Sequence, residues 1–493
     1  MSRSIVRGFL SVLSTDVLVL LLSLVITPLL VRILTPGQYG EYAFVMTVLT
    51  FTMIFVNAGL FDGIRKYLAE ETRAPEWQGQ VFGYYTRVGT VVALVAALLV
   101  LASVWTGAIA RLFGTEFERY FLLLAALVVI RQFWAIGRAT LMGLGLEHLS
   151  EPVKVARWVV FALVGLPLAA IGLDVVGLLL GRIVARFVVL LVAFGLVFRY
   201  LSPTSLLTPA PEGFPRRELL SYNAFSVVLV FLLNSLYSVD VLLLTYFTES
   251  AQVGYYNAAL VVAEFLWFVP LALQTVLLQS TSGLWSRAEH DAVTEVASRA
   301  TRYCLLLTTL MCLGLLALAD TFVPLYFGAE YTAAILPLLL LLPGSLGFAL
   351  ARPIFAIGQG KGALRLLAVA TGAAALLNLL LNLVLIPRYG TAGAAVSTSI
   401  GYGSMLAFHV WCAGRIGFDP LSDLRLLRVT ATAALSAPVI FGLDALLAND
   451  WAALAVVPPA GFLVYAALAV GTGAIDGAEL TELRRYLPAP LTS

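Results

Sequence analysis

Charge is what this sequence most lacks. Of its 493 residues, 12% are Asp, Glu, Lys or Arg and 61% are hydrophobic, with a mean hydropathy of +0.96; a soluble domain carries roughly 25% charged residues. So much apolar surface cannot be packed into one aqueous core, which excludes an ordinary water-soluble fold. The net charge of +2 comes without any basic run, so the electrostatic footprint of nucleic-acid binding is missing. Cysteine is scarce: Cys304, Cys312 and Cys412 lie in apolar segments without C-x-x-C spacing or nearby histidines, and neither a disulfide framework nor a metal site is indicated. Histidine is equally scarce. His148, His290 and His409 are scattered and offer no catalytic constellation; His409 is expected to serve helix packing.

What the sequence does have is long apolar runs. A spanning helix takes about 20 mostly apolar residues, and fourteen such runs separated by polar breaks can be marked, the first near 9–34 and the last near 451–473. In lipid every backbone N–H and C=O must be paired internally, and runs of this length satisfy that only as helices. The expected fold class is all-α integral membrane, with about fourteen transmembrane helices. The first run is too long for a signal-peptide core and shows no clear cleavage site, so it is read as a retained span.

Orientation follows from Lys and Arg, which are enriched on cytoplasmic flanks. Twenty of the 30 basic residues fall at the N-terminus, in even-numbered loops or in the C-terminal tail, against four in odd-numbered loops: Arg32, Arg111, Arg119 and Arg388. Both termini are therefore expected in the cytoplasm, in a multi-pass protein of the cytoplasmic membrane. An even number of spans agrees. Two amphipathic stretches, 62–80 and 285–302, are expected to lie on the lipid surface as short helices.

Three short matches at nearly one offset indicate an internal repeat. Thr35-Pro-Gly-Gln-Tyr-Gly-Glu-Tyr42 aligns with Ser250-Ala-Gln-Val-Gly-Tyr-Tyr256, Gly143-Leu-Gly145 with Gly358-Gln-Gly360, and Asp174-Val-Val-Gly177 with Gly390-Thr-Ala-Gly393, at offsets of 214, 215 and 216. Six helices separate the copies, so the repeat is parallel, about an axis along the membrane normal. The expected organisation is an N-lobe over 1–200 (helices 1–6), a proline-rich, extended cytoplasmic linker over 201–218, a C-lobe over 219–414 (helices 7–12), two appended helices over 425–473 and a cytoplasmic tail over 474–493. Two such lobes could rock about a central cleft.

Six basic residues lie inside expected spans: Arg87, Arg131, Arg138, Arg182, Arg186 and Arg352. An intramembrane Arg costs roughly 2.5–3.5 kcal/mol on insertion scales and usually faces a bundle interior or watery cavity. Arg182 and Arg186 stand at i, i+4 and Arg131 and Arg138 at i, i+7, so each pair shares a helix face. Facing a cleft, they would suit phosphate, because guanidinium offers a planar, permanently charged fork. Arg87 and Arg352 lie near helix ends and could instead snorkel to the interface; Arg138 admits either reading. For Arg131, Arg182 and Arg186 the alternative is an ion pair with a buried acid. The candidate acids are Asp16, Asp240 and Glu264. Desolvation raises a buried carboxylate's pKa, so these could carry a proton or help hold a cation such as Na+, or could merely neutralise the arginines. Tyr237 and Asn234 accompany Asp240 at helical spacing.

The turn Leu34-Thr-Pro-Gly-Gln-Tyr-Gly-Glu-Tyr42 and the segment Ile386-Pro-Arg-Tyr-Gly-Thr-Ala-Gly-Ala-Ala395 resemble the first loop and the entry to the twelfth helix of the polysaccharide flippase family, within the multidrug/oligosaccharidyl-lipid/polysaccharide exporter superfamily. The likeness covers helices 1–12. It implies two six-helix lobes around a cationic cavity that carries a lipid-linked oligosaccharide from the cytoplasmic to the outer leaflet, the arginines (Arg131, Arg138, Arg182, Arg186, Arg352, with Asn234) holding the phosphate or pyrophosphate. Such a transporter needs no cofactor beyond coupling to H+ or Na+, and is expected to work as a monomer with the lipid-linked sugar and membrane lipids as its partners. Fold does not fix cargo. A cation-coupled multidrug exporter of the same fold would want acids and aromatics in its cleft, whereas here Arg prevails. A glycan polymerase or ligase would need a sizeable outer loop, and the longest runs about a dozen residues.

Overall fold

The computed structural model describes residues 3–57, 59–70, 76–221 and 224–479; for 3–13, 16, 220–221 and 224–226 it describes the backbone alone. The described residues are helical almost throughout, without strands. Eleven helices are long and apolar enough to cross a membrane, and the apolar part of the first, Val17–Ile33, is shorter. The protein is a multi-pass α-helical membrane protein. Two of the eleven, Glu147–Val197 and Leu364–Ile416, run for 51 and 53 residues. Straight helices of that length would measure ~80 Å, against a hydrocarbon core of ~30 Å. Both fold back on themselves where the sequence expects a break between spans.

Contacts divide the chain into two compact units, Met1–Gly254 and Tyr255–Ser493. The first contains α1 (Arg3–Ile33), α2 (Pro36–Asn57), α3 (Leu60–Leu68), α4 (Trp77–Trp105), α5 (Ala108–Phe113), α6 (Glu116–Gly143), α7 (Glu147–Leu168), α8 (Asp174–Val197), α9 (Arg216–Ser221), α10 (Ala224–Phe247) and the start of α11 (Ser250–Glu264). α6 packs between α4 and α8, α1 lies along α7, and α2 meets α6 and α10. The second unit continues α11 and adds α12 (Phe268–Ser286), α13 (His290–Phe327), α14 (Ile335–Gly360), α15 (Leu364–Ile416), α16 (Leu426–Leu446) and α17 (Asp450–Gly471). There α14 packs against α12, α13 and α15, and the hairpin α16–α17 leans on α13.

The two long runs turn in the same way. Asp174 has φ 44°, ψ −125° and Gly390 φ 55°, ψ −129°, and these are the positions that the internal repeat aligns. The geometry is the glycine-favouring first position of a type II′ turn; the second copy supplies glycine and the first an aspartate. A second aligned pair is in contact. A Cβ on Gly40 would overlap the Ser250 carbonyl, and one on Gly254 would overlap the Pro36 carbonyl. The first turns of α2 and α11 thus touch reciprocally, as related copies do.

Three local expectations change. The stretch 285–302 is not a separate surface helix: α13 begins at His290 and runs unbroken through it, since nothing between Asp291 and Val323 stops a helix. Within 62–80, residues 71–75 lie outside the described ones, and among the described residues the short amphipathic helix is the nine-residue α3, which buries Ile64, Tyr67 and Leu68 and exposes Asp62 and Arg65. The segment 202–215 is no extended tether. It forms a short 3-10 turn (Pro203–Leu206), and Arg87 Nη1 donates to the carbonyls of Ser205, Leu206 and Thr208 at 3.3, 3.0 and 2.7 Å. Phe214 then stacks near Trp77 and Tyr84. Arg87 therefore binds a strap of its own chain.

In the second unit an ion-pair knot fixes the end of the chain. The Arg302 side chain, wholly buried, donates to Asp423 at 2.7 Å and to Glu479; Arg425 reaches Asp423 at 2.8 Å and the Gly473 carbonyl at 3.1 Å. Leu305, Leu306, Val429, Tyr465 and Ala469 pack beneath it, so the knot holds α16 and α17 against α13.

Candidate functional site

The first unit gathers most of its intramembrane cations in one place. α6 contributes Arg131 and Arg138, and α7 contributes Lys154 and Arg157. These four line a cavity of about 420 Å³ together with Thr50 and Asn57 of α2, Trp134 of α6 and Asn234 of α10. Arg157 also borders a narrower recess with Trp158, Phe161, Arg182 and Arg186. The two spaces share that guanidinium, so six basic side chains from three helices form one cluster.

The shared faces are those read from sequence spacing. Arg131 and Arg138 lie two turns apart on α6, and Arg182 and Arg186 one turn apart on α8; the folded-back α7–α8 hairpin and the packing of α6 on α8 bring both faces together. Counter-charge is nearly absent. Glu151, fully buried, accepts from Arg138 Nη2 at 2.7 Å and lies 4.0 Å from Lys154. Among the described residues no carboxylate pairs with Arg131, Arg157, Arg182 or Arg186. Arg182 is held instead by aromatic faces, its guanidinium 4.6 Å from the Phe161 ring centre and 5.3 Å from that of Tyr42, with Nε donating to the Tyr42 hydroxyl. Arg186 is 4% exposed. Its Nε, that of Arg157 and the Trp158 indole N–H are buried with no hydrogen-bond partner. Burying unpaired charge is costly, and convergent unsatisfied donors make an anion the chemically matched occupant.

Other candidates lie elsewhere. Arg352, in the second unit, is 4% exposed; it sits over Phe348, 4.3 Å from the ring centre, and donates to Gln274 at 3.3 Å, so it packs inside its own unit and does not snorkel. Asn234 lines the cavity, but its amide donates to the Val230 carbonyl at 2.8 Å. Asp240 is fully buried and accepts from the Val241 amide at 2.9 Å. Glu264 is exposed at the end of α11. Asp16 belongs to α1, and its side chain lies outside the described residues. His409 packs as expected, fully buried, with Nδ1 2.8 Å from the Met405 carbonyl.

Lys154 and Arg157 are the members of the cluster that the sequence reading passes over, because both count as cytoplasmic flank in the positive-inside tally. The available signal was their i, i+3 spacing beside Trp158, which places them on one face of α7.

A family profile described as "Polysaccharide biosynthesis protein" matches residues 29–336, which includes every member of the cationic cluster. The chain belongs to that family. The chain is 24% identical over 465 residues to the probable low-salt glycan biosynthesis flippase Agl15 of Haloferax volcanii, covering 93% of this chain and 94% of the relative. Its fold is similar to that of a structure described as lipid II flippase MurJ, inward closed conformation (TM-score 0.76, 14% identity, 94% of this chain and 98% of that one). It is also similar to an inward-facing multidrug resistance MATE family transporter of the MOP superfamily (TM-score 0.67, 15% identity, 80% and 94%). These structural likenesses establish the fold alone, an all-α membrane architecture shared with those two structures.

Proposed function

We propose that this protein is a flippase that carries a lipid-linked oligosaccharide, joined through phosphate or pyrophosphate, from the cytoplasmic to the outer leaflet by alternating access. The observation that carries the reading is the cluster of six cations facing, among the described residues, one carboxylate inside a membrane-spanning unit. A phosphate-bearing headgroup supplies the missing negative charge, and guanidinium forks fit its oxygens two at a time. The name of the Haloferax relative, a glycan biosynthesis flippase, supports the same class of cargo, and the internal repeat supports a cycle in which two similar halves move. Both termini are assigned to the cytoplasm by the distribution of Lys and Arg.

Replacing Arg131, Arg182 and Arg186 by Ala should leave the protein in the membrane while lipid-linked glycan accumulates on the cytoplasmic leaflet. Full export by the triple variant would overturn the assignment. Coupling to H+ or Na+ through Asp240, Asp16 or Glu264 is part of the proposal, and transport unchanged after both gradients are dissipated would remove it. The second reading, a cation-coupled multidrug exporter, draws on the fold shared with the MATE transporter. A site for cationic drugs needs excess acid, which this cavity does not have.

A further inference from the structure

We propose that the protein carries a separate site for an anionic phospholipid, where the strap between α8 and α9 crosses α4 at the end that the charge distribution assigns to the cytoplasm. A cavity of about 410 Å³ opens there. Its polar end is made by Arg87 and Arg216 with Tyr84, and its far end by Val88, Val91 and Val92, all reached along α4; the strap closes it through Pro209 and Ala210. Among the described residues no carboxylate lines it.

The arrangement is amphipathic along the direction a lipid would lie. Arg87 spends Nη1 on three strap carbonyls, while its Nη2 and Nε remain available. Arg216 is exposed, touching the Ala210 carbonyl through Nη2 at 3.3 Å. Two guanidiniums thus converge from two parts of the chain, the geometry that chelates phosphate oxygens. Below them Val91 is 62% exposed, and the same helix face continues as exposed Leu94, Val95, Leu98 and Leu99. That stripe is a track for an acyl chain running into the bilayer from a headgroup held at the interface. Basic pockets at this level recognise anionic headgroups. Free phosphate would satisfy the guanidiniums but leave the valine end unused, whereas a glycerophospholipid fills both ends. A bound lipid would also join Arg87 to Arg216 and so stiffen the strap against α4.

The test is native mass spectrometry of the whole protein in detergent, titrated with phosphatidylglycerol, with phosphatidylcholine and with inorganic phosphate. The wild type should hold one phosphatidylglycerol that phosphatidylcholine replaces poorly. Arg216→Gln should weaken that one lipid roughly five- to tenfold, and Val92→Trp should weaken it by filling the apolar end; Arg111→Gln, remote in sequence and on an odd-numbered loop, should leave it unchanged. Inorganic phosphate should not displace it. Equal lipid binding by the wild type, Arg216→Gln and Val92→Trp would overturn the proposal, and displacement by millimolar phosphate would make the site one for a free anion. Neither outcome bears on the flippase reading, whose cations lie in the other cavity.

Discussion

Replacing Arg157 with Gln should make the empty protein more stable and its hold on a phosphate-bearing lipid weaker. The opposite signs are what separate a ligand site from a structural ion pair. Arg131, Arg138 and Arg182 all repel Arg157, and no described carboxylate answers it. Coulomb's law at an effective dielectric near 20 sets the cost of any one like-charged pair ~8 Å apart at about 2 kcal/mol. Loss of contact with Trp158, whose ring centre lies 5.7 Å from the guanidinium, takes back about 0.5–1 kcal/mol. The net gain of about 1–1.5 kcal/mol should raise Tm by roughly 1–3 °C. Binding should move the other way: a charge-assisted hydrogen bond contributes about 1.5–3 kcal/mol, a ten- to hundredfold loss in affinity. The assay is thermal unfolding in detergent with and without a short-chain isoprenyl pyrophosphate. The wild type should show the larger ligand-induced rise and the variant the higher ligand-free Tm. A variant that melts earlier than wild type yet responds equally to ligand would refute the reasoning, because that is how a buried salt-bridge member behaves.

Glu151→Gln provides the contrast, since it strips the one carboxylate from Arg138 and should destabilise the protein by about 3–5 kcal/mol, seen as early melting. Asp174→Gly places in the first hairpin turn the residue that the second already has at Gly390 and should relieve about 1–2 kcal/mol of backbone strain; an unchanged or lower Tm would argue against that strain. The ion-pair knot carries a pH dependence. Burial raises the Glu479 carboxyl, but the Asp476 amide, the bond and charge of Arg302 and the charge of Arg425 outweigh it and hold the group below the ordinary glutamate value of 4.5. A depressed folded-state pKa gives stability that is complete above that ordinary value and lost as pH falls through the lower folded one. Melting should therefore be insensitive to this group near neutrality and fall below about pH 4.5, and in Glu479→Gln this acid-dependent part should vanish.

The fold was legible because lipid leaves the backbone few choices. Apolar runs too long for strands had to be helices, and breaks at Asp174 and Gly390 were visible as the ends of such runs even though helix continues on either side of each turn. The repeat could be read from three short motifs, and the aligned residues Asp174 and Gly390 do adopt one backbone geometry. Less legible were segments in which polar composition conceals packing. The prolines of 202–215 suggested an extended tether, but the composition gave no hint that Arg87 would turn back from α4 to collect three of its carbonyls. Likewise Arg302 counted as one more cytoplasmic charge, while its two acidic partners lie 121 and 177 residues further on.

The site shows why spacing finds part of a cluster but not all of it. Helical period identifies which residues share a face, and so it paired Arg131 with Arg138 and Arg182 with Arg186. It does not say which faces meet. That depends on α7 and α8 folding back on each other and on α6 lying against α8, which brings Arg157 from a third helix to the point where the two pairs converge. The same packing explains why charge counting alone misjudged Lys154 and Arg157: a residue near a helix end belongs to the interface only if its face turns outward, and the described cavity turns theirs inward. Arg352 makes the converse case. It is as buried as Arg186, yet Phe348 and Gln274 occupy it within its own unit. In a membrane protein the function of an arginine is therefore set by what its helix face meets, and in the cluster of α6, α7 and α8 the four that meet no described carboxylate are the ones an anion matches.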